Sequence, residues 1–302
     1  MALHPEIARV LATLPAPPAG PLDPVAMRAD EEAHVVPAGD RLPVGAVVDT
    51  TVGGVPVRVY SPDEDSVPGV VVYLHGGAFF LGSLETHDQV ARELTRAAGR
   101  TVVAVASRRA PEAAYPAGLE DCYAVVRGLA EEGRPAALVG DSSGGNFVAA
   151  VAALAHDRGL RVARGSAITH QVLLYPSLDL DFDVERYPSL RENAVGYGLE
   201  TAGLAPFNAF YLASGADPDD PLVSPVKRPD LTGLPPALIV TGEHDPLRDE
   251  GEQYGERLRA AGVPVIVSRY AGAGHGFVQH FSWIPEYHRV YDEIAAFLGA
   301  AR

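Results

Sequence analysis

The sequence predicts an α/β fold in which a mostly parallel central sheet is packed between two layers of helices. From Val55 onward, short β-branched segments alternate with longer segments of helical periodicity. Several of the short segments are apolar at every position, as expected of strands that are covered on both faces. The length of 302 residues allows one large α/β domain or two small ones. Together these observations favour a three-layer α/β sandwich.

The individual elements follow from the same patterns. The apolar, β-branched segments predict strands at Val55–Tyr60, Val70–Leu74, Thr101–Ala106, Ala136–Val139, Ala167–Leu174, Ala237–Thr241 and Val263–Arg269. The segments of helical periodicity predict helices at about His87–Ala98, Gly118–Glu132, Ser143–Arg158, Leu247–Ala261 and Tyr287–Gly299. Pro246 fits the first turn of the fourth helix, and Gly262 fits its end.

Two stretches interrupt this alternation, namely about the first 50 residues and about residues 180–225. The second stretch contains one helical pattern, around Thr201–Leu212. Because long insertions after a strand are usually functional, we expect both stretches to form a helical cap over the carboxyl ends of the strands. Residues 1–50 are then the N-terminal part of the cap, 51–302 the main domain and 180–225 a cap insertion. The alternative is a flexible tail and an unrelated surface loop.

Composition excludes several classes of protein. The 24 Lys and Arg residues against 39 Asp and Glu give a net charge of −15, which would repel nucleic acid or an anionic membrane surface. Cys122 is the only cysteine, so neither an intrachain disulfide nor a Cys-based zinc site is possible. The segment Met1–Asp40 lacks the pattern of a secretory signal, and no apolar run is long enough to span a membrane. We therefore expect a cytoplasmic protein.

The clearest local motif is Gly140-Asp141-Ser142-Ser143-Gly144-Gly145, between a predicted strand and a predicted helix. Glycines two residues on either side of Ser142 allow a tight strand-to-helix turn that leaves the serine Oγ exposed. This context predicts a nucleophilic serine. The alternative is a glycine-rich turn that only packs a helix onto a sheet.

A second motif follows the strand Val70–Leu74 directly. It reads His75-Gly76-Gly77-Ala78-Phe79-Phe80, and the N–H groups of such a loop can stabilise the oxyanion formed in acyl transfer. Gly77 and Ala78 are the leading donors, Gly76 belongs to the same loop, and the N–H of Ser143 joins them. Either motif alone could be structural, but the pair favours catalysis.

A serine of ordinary acidity needs a base and an orienting carboxylate, in the chain order Ser, acid, His. His275 is the best base, because it lies between glycines in the loop after the last predicted strand. Asp245 is favoured as the acid over Glu243 and Asp249, because it lies at a strand-to-helix turn. His87 either lines the pocket or caps the helix that it precedes.

These residues give the chain a resemblance to a known family. It resembles the hormone-sensitive-lipase family of α/β-hydrolases, in the bacterial carboxylesterase branch, from about Val55 to the C-terminus. The matching segments, in chain order, are His75-Gly76-Gly77, Gly82-Ser83, Thr86-His87-Asp88, Ala110-Pro111-Glu112, Pro116-Ala117, Leu119-Glu120-Asp121, Gly140-Asp141-Ser142-Ser143-Gly144-Gly145-Asn146, Tyr175-Pro176, Arg191-Glu192-Asn193, Asp245-Pro246-Leu247-Arg248-Asp249-Glu250-Gly251 and His275-Gly276-Phe277.

The resemblance implies an α/β-hydrolase sandwich with a helical cap, in which residues 51–302 form the catalytic domain. It also implies carboxylic ester hydrolysis with Ser142 as nucleophile, Asp245 as acid and His275 as base. The chain departs from the family at Ala78, where a third glycine is common. It departs again at Ser107 and Arg109, where a tyrosine and an apolar residue are common.

We therefore expect a serine carboxylesterase that hydrolyses short- to medium-chain esters through an acyl-enzyme and needs no metal or cofactor. Its partner is a small-molecule ester, and we expect a monomer or homodimer. Candidate pocket residues are Phe79, Phe80, His87, Tyr175, Tyr197, Phe207, Phe210 and Tyr211. Three alternatives remain: an amidase or deacetylase that uses the same three groups, a ligand-binding protein on a hydrolase scaffold, and a purely structural or interaction protein.

Overall fold

A computed structural model describes residues 2–14, 20–63, 67–163 and 165–299 of the chain. The strands are β1 (Ala46–Val52), β2 (Val55–Ser61), β3 (Val70–Leu74), β4 (Thr101–Val105), β5 (Ala136–Asp141), β6 (Arg161–Val162), β7 (Gly165–Ser166), β8 (Ile168–Leu174), β9 (Ala237–His244) and β10 (Val265–Gly274). The helices are α1 (Pro5–Leu11), α2 (Pro24–Ala33), α3 (Asp88–Ala98), α4 (Ala117–Glu131), α5 (Ser143–Asp157), α6 (Ser189–Glu192), α7 (Thr201–Asn208), α8 (Arg248–Ala260), α9 (Phe277–His280) and α10 (Pro285–Phe297).

Eight strands form one sheet in the order β1-β2-β4-β3-β5-β8-β9-β10. The strands from β4 to β10 in this order are parallel, whereas β1 and β2 form an antiparallel hairpin, and β2 also pairs with β4 in antiparallel fashion. The parallel strands end at a common edge, so the loops that follow β3, β5, β9 and β10 meet there. The predicted mostly parallel sheet is confirmed.

Helices cover both faces of the sheet. In β3, Val70, Val72 and Leu74 pack on the face that carries α4, α5 and α8. Val71 and Tyr73 alternate with them and pack on the face that carries α3 and α10. All five side chains of β3 are buried, because a central strand between two helical layers has no solvent-facing side. The predicted three-layer sandwich is therefore confirmed.

The predicted strands and helices agree with the structure to within about five residues. The short elements β6, β7, α6 and α9 were not predicted, and neither was the sheet strand β1. Six of its seven residues are exposed, and it pairs only with β2 at the sheet edge, so it lacks the buried apolar pattern used to find the other strands. The dipeptide Gly53-Gly54 is a sequence signal for a β-hairpin turn that could have indicated this strand. In the structure it connects the paired residues Val52 and Val55, and both glycines have positive φ. The expected boundary after residue 50 therefore falls inside β1, which belongs to the sheet.

The stretches expected to form a cap contain short helices. Residues before β1 form α1 and α2, and residues between β8 and β9 form α6 and α7. Both contribute to the core: Ile7 of α1 packs on the α3 and α10 face, and Leu204 of α7 packs on the opposite face. The helical pattern around residues 201–212 is present as α7 followed by a short 3-10 turn. Among the described helices, none has the length and hydropathy of a membrane span.

Candidate active site

Ser142 lies at the turn between β5 and α5. Its backbone has φ 53° and ψ −120°, a left-handed conformation that few residues with a Cβ adopt. Two glycines make this turn possible: a Cβ on Gly144 would lie 2.0 Å from the carbonyl oxygen of Leu74, and a Cβ on Gly140 would lie 2.3 Å from that of Gly144. The turn thus directs the Ser142 side chain away from the strand and into a cavity.

His275 lies between the side chains of Ser142 and Asp245. Its Nε2 is 2.9 Å from Ser142 Oγ, and its Nδ1 is 2.8 Å from Asp245 Oδ2. The other carboxylate oxygen of Asp245 accepts a hydrogen bond of 2.8 Å from the backbone N–H of Leu247. Because Asp245 is fully buried and held at both oxygens, it fixes the orientation of the imidazole ring.

The two rival carboxylates have other partners. Glu243 Oε2 accepts the backbone N–H of Gly272 at 2.8 Å. Asp249 Oδ2 accepts the N–H of Ser189, also at 2.8 Å, while Oδ1 binds Arg248. The structure therefore places neither of these carboxylates against His275.

Three residues that line the same cavity as Ser142 have backbone N–H groups without an acceptor in the described ranges. They are Gly77, Ala78 and Ser143. Because Ser143 is the first residue of α5, its N–H also carries the positive end of the helix dipole. The N–H of Gly76 is different, because it donates to Asp141 Oδ1 at 3.0 Å.

Asp141 connects the loop after β3 with the serine turn. Besides the Gly76 N–H, its Oδ1 accepts the hydroxyl of Tyr73 at 2.7 Å, and Oδ2 lies 3.6 Å from His87 Nε2. Burial alone would raise the pKa of Asp141, but attraction to the nearby His87 ring and the hydrogen bond from Tyr73 outweigh it and lower the pKa. The neighbouring His75 has a pKa lowered to about 4, chiefly because its ring is removed from water and secondly because of repulsion from His87.

The cavity beside Ser142 has a volume of about 650 Å³ and a mainly apolar wall. Of the predicted pocket residues, Tyr175, Tyr197 and Phe207 line it. The other wall residues come chiefly from α1, the segment between β8 and β9 that includes α7, and the segment after β10. They are Ile7, Val10, Leu11, Leu14, Glu31, Leu81, Asp141, Ser177, Gly198, Leu199, Leu204, Asn208, Leu247, Gly276, Gln279, His280, Phe281 and Trp283.

The remaining predicted pocket residues lie behind the wall. Phe79 stacks on Tyr211 with ring centroids 3.8 Å apart, and Phe80 packs against Phe210 at 4.9 Å. The left-handed backbone at Phe79 turns its side chain into this aromatic cluster and away from the cavity. His87 is buried against Asp141 and also lies outside the cavity lining.

Several supporting residues were not predicted. Asn193 Nδ2 donates to the carbonyl oxygens of Asp245 and Glu243 at 3.0 and 3.4 Å, which holds the loop that carries the acid. Arg28 of α2 donates to the carbonyl oxygens of Phe80 and Ala110 at 2.6 and 2.5 Å. The family-like segment Arg191-Glu192-Asn193 is a sequence signal that could have indicated a role for Asn193. The sequence around Arg28 contains no such signal for its contacts with distant residues.

The buried carboxyl of Glu250 supports the strand-end loops from α8. Its Oε1 accepts the N–H of Leu178 at 2.6 Å, and burial raises its pKa well above the usual range. No group of three or more His, Cys, Asp or Glu side chains in the described ranges is arranged to hold a metal ion. The chemistry that this arrangement can perform is attack by Ser142 Oγ on a carbonyl whose oxygen the free N–H groups receive.

Known proteins share this fold and much of this sequence. The profile of a family described as alpha/beta hydrolase fold matches residues 71–279. A carboxylesterase of Mycobacterium tuberculosis, NlhH, is 42% identical over 262 residues, which cover 81% of this chain and 79% of that protein. The ethyl acetate hydrolase of Pseudomonas putida is 34% identical, and the match covers 95% of each chain. A solved esterase structure from Pyrobaculum calidifontis is 35% identical, with a TM-score of 0.85 over 99% of this chain and 100% of that one.

Proposed function

Because the chain belongs to the α/β-hydrolase fold family and is a carboxylic ester hydrolase of the hormone-sensitive-lipase type, we propose that Ser142, His275 and Asp245 perform its reaction. In this proposal Ser142 is the nucleophile, His275 the general base and Asp245 the orienting acid. The N–H groups of Gly77, Ala78 and Ser143 form the oxyanion hole.

Acylation follows from the hydrogen bonds of the site. As Ser142 Oγ bonds to the ester carbonyl carbon, its proton passes to His275 Nε2, which lies 2.9 Å away. The imidazole becomes a cation, and the buried carboxylate of Asp245 stabilises that charge through Nδ1. The carbonyl oxygen gains negative charge, which the three free N–H groups receive.

Acylation is completed when the tetrahedral intermediate collapses, the carbon–oxygen bond to the alcohol breaks, and His275 gives its proton to the departing oxygen. In deacylation, water attacks the acyl carbon while His275 takes a proton from it. The second tetrahedral intermediate then collapses, the bond from the acyl carbon to Ser142 Oγ breaks, and His275 returns its proton to that oxygen as the acid is released. The observation that carries this proposal is the convergence of the Ser142 and His275 side chains with three unpaired N–H groups on one cavity.

The cavity supports a substrate class as well. About 650 Å³ with a mainly apolar wall fits an ester of short to medium chain length. The apolar side chains of α1 and α7 form part of that wall, so we propose that these helices limit the length of chain that the enzyme accepts. A small neutral ester also agrees with the net charge of −15, which disfavours polyanionic partners.

Initial rates on p-nitrophenyl esters from acetate to palmitate test the proposal. We expect wild type to show an optimum at short or medium chain length. Ser142→Ala and His275→Gln should each reduce kcat by a factor of about 10³ or more. His288→Gln is the matched control, because His288 is half exposed on α10 and lies outside the cavity lining, and it should retain wild-type rates.

Two results would count against the proposal. Undiminished hydrolysis by Ser142→Ala would show that another group attacks the ester. Faster turnover of the matched p-nitroanilide amides than of the esters, with the same sensitivity to Ser142→Ala, would assign the three groups to an amidase instead.

A further inference from the structure

The side chain of Ser143, the residue after the proposed nucleophile, reaches across to the loop that follows β3. Ser143 is 1% exposed, and its Oγ accepts the backbone N–H of Phe79 at 3.2 Å. The contact joins two segments 64 residues apart in the chain. It does not involve the Ser143 backbone N–H, which has no acceptor in the described part of the chain.

The loop that Ser143 contacts has an unfavourable backbone. Ala78 has φ 47° and Phe79 has φ 66°, two consecutive left-handed residues that both carry a Cβ. Such conformations persist only where surrounding contacts enforce them. Gly77, with φ 117°, supplies freedom at the start of the turn, but the two residues after it do not.

The contacts around Phe79 hold its peptide groups from both sides. The carbonyl oxygen of Phe79 accepts the N–H of Ala110 at 3.0 Å, and the N–H donates to Ser143 Oγ. The carbonyl oxygen of Gly77 accepts the N–H groups of Phe80 and Leu81 at 3.0 and 2.7 Å. The direction of the Ala78 N–H depends on the φ and ψ angles that these contacts fix.

We propose that the hydroxyl of Ser143 is a positioning group for the oxyanion hole. It holds the left-handed Ala78–Phe79 backbone so that the N–H groups of Gly77 and Ala78 point into the cavity. This inference rests on the proposed function, since it takes those N–H groups as the donors that receive the developing oxyanion. Ser143 thus has two roles in this proposal. Its backbone N–H is one donor of the oxyanion hole, and its hydroxyl holds the loop that carries the other two donors.

The proposal predicts coupling between positions 143 and 78. A glycine in place of Ala78 would adopt positive φ without a Cβ penalty, so the Ala78→Gly loop needs less support from the hydroxyl. Loss of the hydroxyl should therefore cost more when position 78 is alanine than when it is glycine. A merely structural hydroxyl would give the same loss in both backgrounds.

The test is a double-mutant cycle with Ser143→Ala, Ala78→Gly and the double variant. For each protein, kcat and KM are measured with p-nitrophenyl butyrate as substrate. The inhibition constant Ki is measured for an alkyl trifluoromethyl ketone, because the hemiketal that it forms with the serine mimics the oxyanion. For Ser143→Ala we expect kcat to fall about tenfold, KM to stay within about twofold, and Ki to rise in parallel with the loss of kcat/KM. The double variant should lie within about threefold of Ala78→Gly alone.

Ser224→Ala is the matched control. Ser224 is also fully buried, and its hydroxyl accepts a backbone N–H, that of Leu180, at 2.9 Å, but the residue does not line the cavity. This variant should be less stable yet keep the wild-type kcat and Ki. If Ser143→Ala fails to fold, Ser143→Cys takes its place in both backgrounds of the cycle, because a thiol is similar in size but a weak hydrogen-bond acceptor.

Three outcomes would overturn the inference. One is an unchanged kcat and Ki in Ser143→Ala, and another is a raised KM with kcat unchanged. The third is a loss of tenfold or more on removing the hydroxyl in the Ala78→Gly background. Each of these is distinct from failure of the proposed function, because that failure appears as full activity in Ser142→Ala.

Discussion

At the scale of single residues, Asp141 joins the two motifs on which the proposed chemistry depends. Its carboxylate receives the Gly76 N–H and the Tyr73 hydroxyl, while its own backbone continues into Ser142. The position of the loop relative to Ser142 therefore depends on one buried charge. The sequence indicates only that this residue belongs to the turn, because a partner 65 residues away in the chain leaves no local pattern.

Asp141→Asn tests this connection. The amide is nearly isosteric but removes the charge, so the hydrogen bonds to Tyr73 and Gly76 lose their ionic character and one side-chain acceptor is lost. We expect kcat to fall about tenfold, which corresponds to about 1.4 kcal/mol, with a smaller change in KM. Asp157→Asn, at the half-exposed end of α5, is the control and should leave kcat unchanged. Wild-type kinetics in Asp141→Asn would contradict the connection.

His75 makes stability depend on pH. Its pKa is about 4 in the folded protein, against an ordinary value of 6.5, because burial disfavours the charged ring. The unfolded chain therefore binds a proton at this site at higher pH than the folded chain does. The contribution of His75 to the free energy of unfolding is fully present above about pH 6.5. It decreases as the pH drops toward about 4, by at most about 3 kcal/mol.

Urea unfolding of wild type and His75→Gln at about pH 7 and about pH 4.5 measures this contribution. The two proteins share all titrating groups other than His75, so the difference between them measures His75 together with its coupling to His87 and Asp141. We expect wild type to lose more free energy of unfolding on acidification than the variant. Equal losses in the two proteins would show that His75 does not titrate in this way.

At the scale of elements, α2 supports the loop after β3 from outside the sheet. Arg28 donates to the carbonyl oxygens of Phe80 and Ala110 and forms a bidentate ion pair with Glu112, with both distances 2.8 Å. Glu31, one turn further along α2, accepts the N–H of Gly82 at 3.0 Å. The N-terminal helix is thus bonded to both ends of the segment 80–82.

Arg28→Met keeps the aliphatic stem but removes these hydrogen bonds. We expect the free energy of unfolding to fall by about 2 kcal/mol and kcat/KM to fall several-fold, because two carbonyl oxygens lose a charged donor. Arg9→Met is the control: Arg9 pairs with Glu6 on the surface of α1 with 67% of its side chain exposed. Such exposed pairs contribute little, so Arg9→Met should be close to wild type. If the two variants are equally stable, α2 does not support the loop.

The elements also show what sequence could and could not predict. Strands buried on both faces, such as β3, were found because every residue is apolar. Ser142, Asp245 and His275, which the structure brings together, were selected by their chain order and by their places in loops and turns after predicted strands. The exposed strand β1 was not found, because burial is what creates a pattern. Which aromatic side chains face the cavity depends on backbone angles such as φ 66° at Phe79, which composition does not encode.

At the scale of the whole molecule, the net charge and the cavity lining both predict selectivity against anionic esters. The net charge is −15. Among the described residues, the cavity lining includes the carboxylates of Glu31 and Asp141 and contains no lysine or arginine. An ester that carries a carboxylate would therefore approach a negative protein and enter a cavity without a cation to pair with it.

We expect p-nitrophenyl hemisuccinate to react with a kcat/KM at least about tenfold below that of its neutral methyl-capped analogue. Because approach is electrostatic, the difference should shrink in about 0.5 M sodium chloride. Glu31→Gln should favour the anionic ester selectively, whereas Glu32→Gln, outside the cavity lining, should not. Equal kcat/KM values for the two esters at low salt would contradict this selectivity.

Ser142 is the proposed nucleophile, and the most direct test is to locate the residue that forms a covalent adduct with an active-site phosphonate. Wild type is inactivated with a p-nitrophenyl alkylphosphonate, digested, and sequenced by mass spectrometry, with Ser142→Ala treated in parallel. The adjacent Ser143 makes the result decisive at single-residue resolution. We predict one phosphonyl group, on Ser142, and none in Ser142→Ala. An adduct on Ser143 or elsewhere, formed at the rate of inactivation, would contradict the claim.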